Sequence, residues 1–234
     1  MGFLFLTVIT FSFFTQQKED NKLFVSYTVD AKTQNIKLYW KDDNQSVLKS
    51  IQKLKTFIES KQQTLVFAAN AGMYKTDNSP QGLFIDETKR ISPLDTTMGN
   101  GNFYLKPNGV FYITTSNEAH ICISEKFIIN NSIKYATQSG PMLLIDGNIH
   151  TAFKAQSKNI NIRNGVGILP NGNAVFAMSK NEINFYDFAS YFKKLGCRQA
   201  LYLDGFVSRC YLPEKKWAQL DGNFGVMIGV TKKN

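Results

Sequence analysis

An apolar run, Gln199-Ala200-Leu201-Tyr202-Leu203, stops at Asp204-Gly205. A short apolar run closed by a turn signal reads as a buried strand. The segment before it, from Asn184 to Gly196, carries Phe185, Phe188, Ala189, Phe192 and Leu195 at helical spacing. Asn184 suits the cap position and Gly196 the stop. A helix feeding a buried strand that ends on a carboxylate sets an acid at the edge of a sheet. Asp-Gly is also a frequent turn dipeptide, so spacing alone leaves both readings of Asp204 open. Either way, the chain must build a sheet with a helix laid on it.

The rest of the chain reads as mostly strand. Residues 23–28 and 35–40 alternate polar and apolar side chains about a polar turn and predict a hairpin. Residues 46–60 predict a helix with Val47, Ile51, Leu54 and Ile58 in one stripe and Ser46 as its cap. Residues 64–69 predict a buried strand running into Asn70-Ala71-Gly72, and 81–86 a shorter one. Two Pro-Asn-Gly turns, at 107–109 and 170–172, predict hairpins joining 102–106 to 110–114 and 165–169 to 174–178. Asp146-Gly147-Asn148 joins 142–145 to Ile149, and 224–231 closes the chain as a strand. No linker or charge run divides these elements. The expectation is one α+β domain over 21–234, with a mixed sheet, hairpins and flanking helices.

The chain of 234 residues is 43% hydrophobic, with nineteen Phe and ten Tyr, enough for an aromatic-rich core. Its net charge of +9 favours anionic company. No basic run exceeds two residues, so the charge is spread and no nucleic-acid partner is expected. The apolar stretch from Met1 to Phe14 is short for a membrane span and has the length of a signal-peptide core. Residues 1–20 are therefore expected to direct export, to the periplasm or the medium, leaving no stable span after processing. The rival readings of that stretch are a buried strand and an uncleaved anchor. Cys122, Cys197 and Cys210 do not form a disulfide framework and are expected as buried thiols.

Several mechanisms lack their residues. His120 and His150 stand near no Gly-x-Ser-x-Gly elbow. Two histidines and three scattered cysteines make no zinc spacing, and no metal is expected. Neither a Walker loop nor a dinucleotide fingerprint is present, and no motif names a cofactor. Carboxylate, guanidinium, amide and hydroxyl chemistry remains, and it suits sugars and phosphodiesters. Its candidate carriers are Asn70-Ala71-Gly72-Met73-Tyr74, Gln138-Ser139-Gly140-Pro141, Arg163-Asn164-Gly165 and Leu203-Asp204-Gly205. A guanidinium is well shaped to grip a phosphate through two parallel bonds. Asp77, Asp86, Asp95 and Asp221 are further acids beside turns.

Taken in order, these clusters, with Gly82-Leu83, Gly101-Asn102-Phe103, Ser208 and residues 225–230, resemble the phosphodiester glycosidase domain over about residues 23–231. This is the domain of the lysosomal uncovering enzyme, and the likeness is to its compact bacterial, exported branch, which is linked to exopolysaccharide. The family's Asn-Gly-Gly matches Asn70 and Gly72, with Ala71 between. Its Arg-Thr/Ser-x-x-Gly matches Arg163 and Gly167, with Asn164 at the hydroxyl position. Its Leu-Asp-Gly-Gly-x-Ser matches Leu203, Asp204, Gly205 and Ser208, with Phe206 in place of the second Gly. The resemblance implies hydrolysis of a glycosyl phosphodiester in an envelope or exported glycan. The alternative is a glycan-binding envelope protein without turnover. The implied partner is a phosphate-containing glycan or another anionic carbohydrate. Asp204, Arg163 and Asn70 are the expected catalytic residues. Gly72, Ser139, Gly140, Asn164, Gly205 and Ser208 are expected to bind substrate, and Asp86 is a candidate second carboxylate.

Overall fold

The computed structural model describes residues 22–234. The expected export segment at 1–20 lies outside the described residues. The first helix, α1 (Ile51–Ser60), starts one turn later than its apolar stripe suggests. Gln45 and Lys49 have φ of 64° and 63°, which no α-helix contains. Ser50 is therefore the cap, its side chain accepting from the Lys53 backbone N–H, and Val47 forms a bridge with Lys41. The second helix, α2 (Phe185–Lys194), forms as expected, capped by Asn184, and Gly196 with φ 84° ends it.

Among the described residues, sixteen strands make three sheets. In the first, β1 (Phe24–Val29), β12 (Ala174–Ser179), β11 (Asn164–Ile168), β13 (Gln199–Tyr202), β9 (Met142–Ile145) and β10 (Asn148–Ile149) lie side by side in that order. In the second the order is β15 (Trp217–Ala218), β14 (Cys210–Leu212), β3 (Gln63–Asn70), β16 (Met227–Lys233) and β2 (Asn35–Tyr39). In the third it is β5 (Lys89–Ser92), β4 (Phe84–Asp86), β8 (Ile133–Ser139), β6 (Gly109–Thr114) and β7 (Ala119–Ile123).

Every pairing among the described strands is antiparallel, which corrects the expected mixed sheet. α2 does join two strands that run the same way, β12 and β13. β11 sits between them and pairs antiparallel with both, so no parallel ladder forms. Two expected hairpins also fail. β1 and β2 enter different sheets, because Val25, Tyr27 and Val29 on one and Ile36 and Leu38 on the other all point into the central core. Residues 102–104 form a 3-10 turn that the Asn108 side-chain amide ties back through the Phe103 carbonyl (2.9 Å), and β6 pairs with β7 and β8 instead. The β11–β12 and β9–β10 hairpins form.

The three sheets share one apolar core, making an α+β domain. Helix α2 covers the outer face of the first sheet, against Ala200 and Tyr202, while Leu201 and Leu203 point inward. Helix α1 covers the second sheet through Ile51, Leu54 and Ile58. Cys197 and Cys210 are buried free thiols and Cys122 is half-buried, and burial pushes all three up, to about 12, about 12 and about 11. Among the described residues, no helix is long and apolar enough to cross a membrane.

Candidate functional site

The chain leaves β3 at Asn70 and β13 just before Asp204, and the two exits meet. Asp204 N–H donates to the Ala71 carbonyl (3.0 Å), and the Asn70 side-chain amide donates to the Asp204 carbonyl. Asn164, at the start of β11, donates its amide to Asn70 O (2.9 Å) and Oδ1 (3.1 Å). Ser208 Oγ, with one proton to give, lies 2.9 Å from the Gly205 carbonyl and 3.3 Å from Asn164 Oδ1. Arg209 N–H completes the set at Asn70 Oδ1 (3.0 Å). Asn70, Asn164 and Ser208 are all buried, so their polar atoms must find partners inside the protein, and they find one another. Three residues expected at the site, Asn70, Asn164 and Ser208, thus converge on the Asp204 turn, the first two from strands far apart in sequence.

Asp204 is half-buried at the rim of this cluster. Burial raises the Tyr74 and Tyr202 phenols, and the Asp204 charge raises both further, which places the carboxylate near the two rings. Tyr202 ends at about 12. Its hydroxyl oxygen accepts from Arg163 Nη1 (3.3 Å) and faces the Gly205 backbone N–H. A Cβ on Gly205 would lie 1.9 Å from that oxygen, so only glycine fits this close approach. Tyr202 therefore links Arg163 to the Asp204-Gly205 turn. Composition and spacing assigned it no such role. Its alternation with Leu201 and Leu203 was the available signal, since it sets the ring on the opposite face of the strand.

Arg163 is 1% exposed. Nε donates to the Ile183 carbonyl (2.8 Å), and Nη2 to Asn159 O (2.8 Å) and Oδ1 (3.1 Å). The guanidinium carbon stacks 3.6 Å from the centre of the Phe185 ring. Burial pulls its pKa below the ordinary arginine value, partly offset by Tyr202. Phe185 and Asn159 also line a cleft of about 510 Å³, together with Asn102, Phe153, Lys154 and Gln156.

The other expected residues divide. A Cβ on Gly72 would meet Thr137 Oγ1 at 2.2 Å and the Gln138 carbonyl at 2.5 Å, so the close approach at Gly72 is to β8. Ser139 is fully buried and its hydroxyl has no partner among the described residues. Gly140 packs beneath Asn108 and Phe103. Asp86 is not brought to the cluster. It faces a different cleft with Lys37, Glu87 and Tyr135, where burial and the Glu87 charge raise it. Asp77 and Asp95 hold the local turns at Ser79 and Thr97, and Asp221 pairs with Arg209 Nε (2.8 Å). Among the described residues, no three His, Cys, Asp or Glu side chains group as metal ligands.

A family model described as phosphodiester glycosidase matches residues 63–224, which span every residue of this cluster. The chain belongs to the phosphodiester glycosidase family. It is 37% identical over 209 residues to the Escherichia coli K12 protein YigE, covering 89% of this chain and 82% of that protein. The fold is similar to the zebrafish N-acetylglucosamine-1-phosphodiester alpha-N-acetylglucosaminidase catalytic domain, with TM-score 0.56 and 13% identity, over 89% of this chain and 88% of that one. It is similar as well to a Burkholderia pseudomallei protein whose assigned name calls it exported, with TM-score 0.58 and 8% identity, over 88% of this chain and 73% of that one. Family membership brings glycosyl phosphodiester hydrolysis as the general chemistry. At such low identities the structural likenesses speak for the fold.

Proposed function

We propose that the protein hydrolyses a glycosyl phosphodiester in an envelope or exported glycan, with Asp204 as its acid–base group. The observation that carries this reading is the convergence of Asp204 with Asn70, Asn164 and Ser208. The three buried side chains hold the turn through a closed set of hydrogen bonds and leave the carboxyl at the rim. Arg163, linked to the same turn through Tyr202, supplies positive charge toward the phosphate. A glycosidase route uses a proton donor on one side of the bond and a base or nucleophile on the other. With the phosphate stabilising the leaving group, one carboxyl suffices. The test is turnover of a sugar 1-phosphate diester by the full chain and by Asp204→Asn. Turnover should fall about 100-fold or more in the variant, with folding intact. Equal rates would remove Asp204 from the chemistry.

A second reading has its own support. The side chains of Asn70, Asn164 and Ser208 are already engaged with protein atoms, as in a rigid binding scaffold. A glycan-binding protein without turnover would bind the same diester and release it unchanged. Residues 1–20 are proposed to direct export in either case. Fractionation of cells making the full chain checks this, and recovery from the cytoplasm alone would count against it.

A further inference from the structure

Arg163 is a fully buried cation without a counter-charge among the described residues. It makes no ion pair with any described carboxylate. Its acceptors, the Ile183 and Asn159 carbonyls, Asn159 Oδ1 and the Tyr202 hydroxyl, are all neutral. Of the five N–H groups of a guanidinium, at least one, on Nη1, has no acceptor among the described residues. Burying an ionised group without an opposite charge is expensive, and the face of Phe185 offsets only part of that cost.

The cleft beside it has the matching electrostatics. Asn159 and Phe185, which touch the guanidinium, are also its wall. No Asp or Glu lines it, whereas Lys154 does, and Lys154 makes no ion pair with a described residue. A second cleft, of about 590 Å³, differs: Lys37, Lys41 and Lys89 are balanced there by Asp42, Asp43, Asp86 and Glu87. Residues 151–160, which carry Lys154 and Asn159, form no helix or strand and are mostly exposed.

We infer that the cleft beside Arg163 is an anion subsite for the phosphate of a sugar phosphate, with Lys154 at its rim and Asn159 occupying the anion's place against the guanidinium. The ligand class rests on the glycosyl phosphodiester reading above. On binding, one phosphate oxygen replaces Asn159 Oδ1 at Nη2 and a second takes the open N–H on Nη1, the paired geometry that a guanidinium favours. Asn159 leaves without stranding its amide, because Oδ1 also accepts from Asn161 Nδ2 (3.2 Å). Asn159 thus sets how tightly the site holds its anion, and Lys154 draws the anion in.

Titration calorimetry on the full chain tests this, with glucose 1-phosphate as probe, inorganic phosphate as the simpler anion and glucose as the neutral control. Both anions should bind and glucose should not, with glucose 1-phosphate the tighter of the two if the cleft also holds the sugar. Lys154→Ala should weaken binding roughly fivefold, the upper range for a solvent-exposed charge contact. Asn159→Ala removes the competing acceptor and should tighten it. Both residues are exposed, but Asn159→Ala gives up one bond to the buried guanidinium, so urea denaturation checks its fold, and a folded Asn159→Ala that binds no tighter counts against the subsite. Glucose binding as tightly as its phosphate, or both variants matching the wild type, overturns the subsite. The hydrolase reading fails separately. If the diester is never turned over but the two substitutions still move phosphate affinity, the subsite stands without the chemistry. If turnover proceeds and neither substitution changes KM or affinity, the chemistry stands without the subsite.

Discussion

The side-chain amide of Asn164 donates to both oxygens of Asn70, backbone and side chain, at 2.9 and 3.1 Å. One planar group so ties the end of β3 to the start of β11, joining the second sheet to the first. A hydroxyl, the residue type of the family pattern at this position, has a single proton and makes only one of these two bonds. The substitution at 164 therefore strengthens the joint on which Asp204 rests.

Replacing Asn164 by Ala should lower stability by about 1–3 kcal/mol, because Asn70 O and Ser208 Oγ lose a buried partner. Asn164→Ser should recover part of the loss. Urea denaturation measures both. A change within about 0.5 kcal/mol, typical of surface sites, would show that the bonds carry no weight.

Phe188 is fully buried beneath α2, with Phe192 edge-on at 5.3 Å and Phe24 at 6.2 Å. Phe188→Ala should cost about 3–5 kcal/mol through lost burial and the cavity left behind. A cost under about 1 kcal/mol would mean that the helix does not seal this face.

How much of this was legible in the residues depended on the range of the interaction. Helix α2, β13 and the 170–172 hairpin follow from local spacing and turn chemistry, and they form where that chemistry places them. The 107–109 turn carries the same Pro-Asn-Gly but no hairpin, because the Asn108 amide finds the Phe103 carbonyl first. Strand pairing was hidden wherever the partner is distant. Nothing around Asn35 announces that β2 will lie along β16. At the site, motif order singled out Asn70, Asn164, Asp204 and Ser208, which meet. The contacts of Arg163 were not legible, since Asn159, Ile183 and Tyr202 reach it from three separate segments.

Tyr202→Phe keeps the ring and removes the hydroxyl that takes the Arg163 Nη1 bond. A bond to a charged group supports a loss of about 1.5–3 kcal/mol in stability. If the hydroxyl also positions the Asp204 turn, kcat on a sugar 1-phosphate diester should fall with KM little changed. A KM effect alone would deny Tyr202 that positioning role.

His150 is 5% exposed, and burial pulls its pKa below the ordinary 6.5 despite its hydrogen bond to the Lys106 carbonyl. The unfolded chain therefore takes up the proton first as pH falls. His150 contributes its full stability above about pH 6.5, and that contribution is lost as pH drops through 6.5 toward the lower folded value. Melting temperatures between pH 7.5 and 5.5, compared with His150→Phe, check this. The wild type should lose stability across the window and the variant should lose less. Parallel curves would remove His150 as the cause.

The place of β3 in the second sheet has a consequence for the order of events during synthesis. Its two neighbours, β14 and β16, are residues 210–212 and 227–233, two of the last three described strands to be made. Asn70 thus leaves the ribosome on a strand with both edges bare, and it waits for nearly the whole polypeptide before it meets Asp204 or Met227. Unpaired strand edges invite pairing with other chains. For this protein that interval, rather than the finished domain, is the aggregation-prone stage, and loss of even the last strand would leave β3 bare on one side for good.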